Sequence, residues 1–196
     1  MQILTITPPP HLLHQVHFAL RTPDPQEVPK EKVAARILSV AWSSDGTQLA
    51  LGLLNGQITL RNLDSEETHR IDRKAPVWCL TFIPNIAPVK TATGTAAPSE
   101  GEMLAVGCWD RTLTFYRILP NGANKAHTER SLKFYPTSIT LAGNNAASKS
   151  HYLILSGSDK KVSLYSKEGI RLADLATKES WVWGAAYQPA YERVLL

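Results

Sequence analysis

The chain has 196 residues, 43% of them hydrophobic and 19% charged, which suits one domain with a buried core or part of a larger one. No run approaches the roughly 18 apolar residues of a membrane-spanning helix. The N-terminus reads as no secretory signal, and two cysteines are too few for a disulfide framework, so a reducing compartment is expected. The net charge of +4 comes from scattered basic residues, and the one cluster, His69-Arg70 to Arg73-Lys74, reads as a solvated loop rather than the clustered basic face of a nucleic-acid binder.

Residues 1–36 read as an N-terminal segment and linker. Met1 to Thr7 alternates like a strand, Pro8-Pro9-Pro10 stops it, and His11 to Leu20 fits either a second strand or a short helix. Residues 22–35 hold three prolines and many charges, the composition of an exposed connection.

From residue 37 onward the chain reads as short strands and tight turns. Ile37 to Trp42, Gln48 to Gly52 and Gln57 to Asn62 are strands, with turns at Ser43-Ser44-Asp45-Gly46 and Asn55-Gly56; the latter dipeptide suits a type I′ hairpin. Thr68 to Ile71 reads as an outer strand. The pattern restarts at Val77 to Phe82, is interrupted by a surface insertion over 86–101, and continues through Met103 to Gly107, the turn Cys108-Trp109-Asp110-Arg111 and a strand ending at Arg117. Ile118 to Arg130 reads as a polar connection and Ser131 to Phe134 as an outer strand. A third unit runs through Thr137 to Ala142, Tyr152 to Ser156, Lys161 to Ser166 and Ile170 to Ala173. A fourth starts at Trp181 to Tyr187 and stops at Leu196, as Val194 to Leu196 begins a second strand.

These units repeat. LALGLLNGQITLRN (49–62), MLAVGCWDRTLTFYR (103–117) and LILSGSDKKVSLYS (153–166) align when Asn55, Asp110 and Asp159 are set as equivalent. Ile58, Leu113 and Val162 follow three residues later, and Leu60, Phe115 and Leu164 five residues later. The turn positions are 55 and 49 residues apart. With a loop insertion removed from each, that approaches the roughly 40 to 45 residues of a WD40 repeat.

The repeats resemble WD40 repeats, in a degenerate form: the closing Trp-Asp positions hold Arg61-Asn62, Tyr116-Arg117 and Tyr165-Ser166, and no Gly-His dipeptide is present. ALGLLNGQITLRN (50–62), VWCLTFIPN (77–85) followed by the insertion, LAVGCWDRTLTFY (104–116), SGSDKKVSLYSKEGIRL (156–172) and SWVW (180–183) with Pro189 are together similar to the N-terminal propeller region of the intraflagellar transport protein 122 family. The resemblance implies an all-β fold, a partial WD40 β-propeller with about three four-stranded antiparallel blades over 37–72, 77–134 and 137–174 and an incomplete one over 181–196. Residues 1–36 would then hold the remnant of a preceding blade. Three blades and a beginning are fewer than the roughly 4 to 8 of a closed ring, so exposed apolar edges and poor solution behaviour are expected.

The resemblance implies a non-catalytic scaffold of the intraflagellar transport complex A, located in the cilium or flagellum, basal body and cytoplasm. It would support retrograde transport and entry of cargo by binding other complex A subunits and ciliary cargo proteins, with no cofactor, no metal, no nucleic acid and no direct membrane insertion. The alternatives are a vesicle-coat or other trafficking WD40 scaffold and, ranked lower, a metal-dependent enzyme using His11, His14 and His17, whose spacing of three would place them on one helical face. Against the enzyme, no nearby acid or cysteine completes that set, SGSD at 156–159 is not a nucleophile elbow, and no phosphate-cradling GxxxxGK[ST] is present. Asn55, Asp110 and Asp159 are expected as structural turn positions. Cys79 and Cys108 read as small buried hydrophobes, and Trp78 and Trp181 as packing residues. Trp109, in a turn, is the candidate partner-binding residue, weighed against simple packing on the adjacent blade.

Overall fold

The computed structural model describes residues 32–84, 101–119, 124–143 and 151–196. The expectations for 1–31, including His11, His14 and His17, and for nearly all of the 86–101 insertion fall outside the described residues. Residues Val33–Leu196 form one compact unit.

That unit consists of antiparallel meanders. The first sheet is β1 (Ile37–Trp42), β2 (Leu49–Leu53), β3 (Gln57–Arg61) and β4 (Glu67–Asp72), in that spatial order. The second is β5 (Val77–Ile83), β6 (Glu102–Cys108), β7 (Thr112–Ile118) and β8 (Asn124–Ser131). The third is β9 (Pro136–Ala142), β10 (Tyr152–Gly157), β11 (Lys161–Ser166) and β12 (Arg171–Thr177). A small fourth pairs β13 (Ala186–Gln188) with β14 (Arg193–Leu195) across the 3-10 turn Pro189–Tyr191. Consecutive strands are hydrogen-bonded neighbours, so each sheet is a simple meander with no crossover, although the β5–β6 connection spans residues 84–101.

The apolar runs in the sequence have a simple cause. The second sheet is covered on both faces, so Leu104 to Cys108 of β6 and Leu113 to Tyr116 of β7 are buried at successive residues rather than alternate ones. Leu104, Val106 and Tyr116 face the core shared with Ala50, Ile58 and Leu60 of the first sheet. Ala105, Leu113 and Phe115 face the core shared with Ile139, Leu153 and Leu155 of the third. A smaller core joins Ile154 and Val162 to Val182. The first sheet carries exposed apolar side chains on β1, with Val40 60% and Trp42 54% exposed.

Three expectations need correction. The outer strand of the second sheet is β8 over Asn124–Ser131, not Ser131 to Phe134; Thr128 pairs with Phe115 and Glu129 with Thr114, while Leu132 and Phe134 leave the sheet to plug the next core. Amphipathic hydrocarbon at 132 and 134 looks like a strand in one dimension, whereas β8 is an outer strand with polar side chains and carries no apolar signal. Trp181 to Ala185 is not a strand: Val182 N–H donates to the Gly157 carbonyl at 3.2 Å, and Thr140 Oγ1 donates to the Ala185 carbonyl at 2.6 Å, so side-chain and isolated backbone bonds replace a ladder. Asn55-Gly56 is not a type I′ turn, because Gly56 has positive φ and Asn55 does not. The loop is a residue longer, with Gly56 donating to the Leu53 carbonyl at 3.1 Å, and only its last position is left-handed.

Candidate partner-binding face

The three complete sheets join their second and third strands by one repeated turn. The Gln57 N–H donates to Asn55 Oδ1 at 3.1 Å, Thr112 N–H to Asp110 Oδ1 at 3.1 Å, and Lys161 N–H to Asp159 Oδ1 at 3.3 Å. The residue after each is left-handed: Gly56 at φ 89°, Arg111 at 64° and Lys160 at 64°. At Gly56 the glycine is needed twice over, since a Cβ there would stand 2.3 Å from the Arg73 carbonyl oxygen.

Each turn is strung between two linkers. Its first residue donates to the linker entering its own sheet: Leu54 N–H to the Arg36 carbonyl at 2.9 Å, Trp109 to Pro76 at 2.9 Å, Ser158 to Tyr135 at 3.1 Å. Its left-handed residue accepts from the linker that leaves: Arg73 N–H to the Gly56 carbonyl at 2.8 Å, Leu132 to Arg111 at 2.7 Å, Lys178 to Lys160 at 2.8 Å. Turns and linkers therefore lie together at one end of the sheets and form one continuous rim.

Along that rim runs a ladder of aromatic rings. Trp109 stands 4.7 Å from Trp78, 4.7 Å from Tyr135 and 6.3 Å from Trp181, centroid to centroid. Trp181 is 6.4 Å from Tyr135 and 5.5 Å from Trp183. The Arg111 guanidinium lies over the Tyr135 ring at 5.8 Å. Trp78, Trp109 and Tyr135 are half-buried, and Trp181 and Trp183 are exposed. Trp109 thus both packs against the adjoining linkers and reaches the surface. Trp42, at the end of β1, stands outside this ladder.

Arg73 corrects the solvated-loop reading of its cluster. Its side chain is only 14% exposed and crosses from the first sheet's exit linker into the second sheet. It donates to Glu129 Oε2 at 2.8 Å, Thr112 Oγ1 at 3.0 Å and the Tyr116 hydroxyl at 3.2 Å, and lies 3.5 Å from Asp110 Oδ2. Burial opposes its charge, but Glu129 and the Tyr116 hydroxyl outweigh that and raise its pKa. The same bond to Arg73, with help from the Thr114 hydroxyl, lowers that of Glu129. No one-dimensional signal marks Arg73, because its partners lie 37 to 56 residues downstream. Tyr135 was missed for the same reason: its ring neighbours come from other linkers and turns.

Asp110 and Asp159 sit on separate sheets, each bound into its own turn; the Thr112 hydroxyl also donates to Asp110 Oδ1 at 2.6 Å. Cys79 and Cys108 are free thiols in the cores, and burial pushes both up, Cys108 to about 11. Among the described residues no group of three or more His, Cys, Asp or Glu is placed to hold a metal ion.

Meandering four-stranded sheets, side by side and stitched by one repeated turn, are the plan of a propeller. A family model described as IFT122 first beta-propeller matches residues 13–196. The chain belongs to this family. Similar proteins include the intraflagellar transport protein 122 homolog of Xenopus tropicalis, 33% identical over 183 residues covering 91% of this chain and 14% of that protein. That of Danio rerio is 32% identical over 176 residues, 88% of this chain and 13% of that protein. The mouse homolog gives the same identity and coverage as the zebrafish one. The chain thus spans 13% to 14% of the length of these relatives. In this IFT122-type propeller the sheets are blades, and the rim of turns and linkers is one face of the propeller.

Proposed function

We propose that the chain is the binding propeller of a non-catalytic scaffold in the intraflagellar transport complex A, serving retrograde transport and cargo entry in the cilium. The observation that carries this reading is membership of the IFT122 first beta-propeller family across residues 13–196. The geometry supports it physically. Blades with both faces packed cannot flex independently, and turns tied to linkers by paired backbone bonds hold loop side chains at fixed spacing. Such a frame is suited to presenting contacts rather than to moving substrate. Other complex A subunits and ciliary cargo proteins are the proposed partners, and Trp109, with its ring neighbours, is the proposed contact.

The test is to tag the gene at its own locus in ciliated cells, image the full-length protein and identify what co-purifies. The reading predicts enrichment in cilia and at the basal body, with complex A subunits recovered together. Enrichment on Golgi-derived membranes with coat subunits would overturn it in favour of a vesicle-coat scaffold, and a uniform cytosolic protein without either set would overturn both.

A further inference from the structure

The aromatic ladder is wider than one anchor residue, and its surroundings specify what it takes. Rings from a strand (Trp78), a turn (Trp109) and two linkers (Tyr135, Trp181) meet stacked or tilted, at interplanar angles of 24° to 36°, so one hydrocarbon surface crosses from the second blade to the segment beyond the third. Aromatic rings in contact with water on a rigid rim are the residues from which interface anchors are made.

The charge around them is biased. Lys74, Arg111, Lys133, Lys160 and Lys178 are all exposed and stand in the turns and linkers that make the rim. Their acidic counterparts there are fewer: Asp110, already engaged by Arg73, then Asp159 and Glu179. The surface is therefore apolar along its length and cationic at its margins.

Two kinds of macromolecule present anionic charge to such a surface, an acidic peptide and a single-stranded nucleic acid. The geometry separates them. Bases bind by stacking on free ring faces. Here the inner rings are already engaged: Trp109 lies 4.7 Å from both Trp78 and Tyr135, and Tyr135 also has Trp181 at 6.4 Å and the Arg111 guanidinium over its ring at 5.8 Å. Acids interspersed with the lysines also interrupt the continuous positive track that a phosphate backbone follows.

We infer that the ladder Trp78–Trp109–Tyr135–Trp181 and its lysine margins form a docking groove for an extended, acidic peptide segment carrying proline or other apolar residues. Such a segment lays its apolar side chains along aromatic grooves and places its carboxylates against the lysines. This deepens the scaffold reading and rests on it only in taking the propeller to be a binding module.

Panning the full-length protein against a random 12-residue phage-displayed peptide library tests it, with Trp181→Ala and the pair Lys160→Glu/Lys178→Glu run in parallel and circular dichroism reporting the fold. Trp181 and the two lysines are exposed, so these changes leave the cores intact. The expected result is enrichment of net-acidic peptides containing proline or aromatic residues, an affinity at least 10-fold weaker in Trp181→Ala, and loss of the acidic bias in the lysine pair. Enrichment of neutral or basic peptides, no enrichment, enrichment unchanged in Trp181→Ala, or tighter binding of oligo-dT than of any selected peptide would each overturn the inference. A failure here leaves ciliary location and co-purification of the full-length protein untouched, and the scaffold reading is judged on those alone.

Discussion

Where the linker from the first blade enters the second, Arg73 sets a cation among Glu129, Thr112 and Tyr116. Where the linker from the second blade enters the third, Leu132 takes the equivalent place and joins an all-apolar cluster with Phe134 and Phe115. The backbone is the same at both seams: Arg73 N–H reaches the Gly56 carbonyl at 2.8 Å, and Leu132 N–H reaches the Arg111 carbonyl at 2.7 Å. The comparison shows that turn-to-linker bonds set the blade spacing, while the linker side chain only has to fill and satisfy the space that results. It also locates the degenerate signature. With no Gly-His in the chain, a long side chain from the linker supplies the donor at one seam, and hydrocarbon removes the need for one at the other.

The largest expected effect comes from emptying the apolar seam. Phe115 is 1% exposed, and Phe115→Ala is expected to cost about 3–5 kcal/mol in urea unfolding. Next is the polar seam. Arg73→Ala removes a donor from Glu129, which keeps the Thr114 hydroxyl, and from the Tyr116 hydroxyl, and leaves a gap in the seam; it is expected to cost roughly 2 kcal/mol. Replacing the whole set, Arg73→Leu with Glu129→Gln and Tyr116→Phe, copies the apolar filling of the second seam and should recover to within about 1 kcal/mol of wild type; if that combination is as damaging as Arg73→Ala, the two fillings are not interchangeable. The turns follow. Asp110 accepts bonds at 2.6 and 3.1 Å and touches Arg73, whereas Asp159 accepts one at 3.3 Å. Asp110→Ala should therefore cost about 1.5 kcal/mol and Asp159→Ala about 0.5, measured in the same unfolding assay.

The smallest effect is one of pH, and it should separate the seams. The folded-state pKa of Glu129 lies below the ordinary 4.5, chiefly through its bond to Arg73. Its contribution is present in full above that ordinary value and is lost as pH falls through the lowered one. Glu102, which accepts the Ser44 N–H at 3.1 Å at the far end of the same seam, is raised by burial and works in the opposite sense. Hydrogen exchange read at the Thr112 to Thr114 amides should accelerate between pH 5 and 3, relative to the global opening rate, while that at Leu153 to Leu155 stays level with it. Equal acceleration at both would dissolve the distinction.

The repeat itself was legible in the sequence because it is local. The triplet Asn55, Asp110 and Asp159, and the apolar positions three and five residues after each, arise from turn chemistry and strand period, which one dimension records. The inner strands were legible for the same reason: β6 and β7 are covered on both faces and advertise it. β8 was not, since an outer strand held by backbone bonds to β7 needs no apolar residue and reads as a polar connection. Arg73 and Tyr135 were illegible because each acts on partners from distant strands, turns or linkers. Trp109 was found as a turn aromatic, but Trp78 and Trp181 read as separate packing residues and Tyr135 carried no signal, so a ladder of rings was read as one anchor.

The central claim is that the rim of turns and linkers holds partners on a frame that does no chemistry. Its most direct test is quantitative co-purification of complex A subunits with the full-length protein in ciliated cells, wild type against Trp181→Ala, alongside the melting temperature of each. The account predicts an unchanged melting temperature and recovery of at least one partner reduced several-fold. Full recovery of every partner with Trp181→Ala, at wild-type stability, would contradict it.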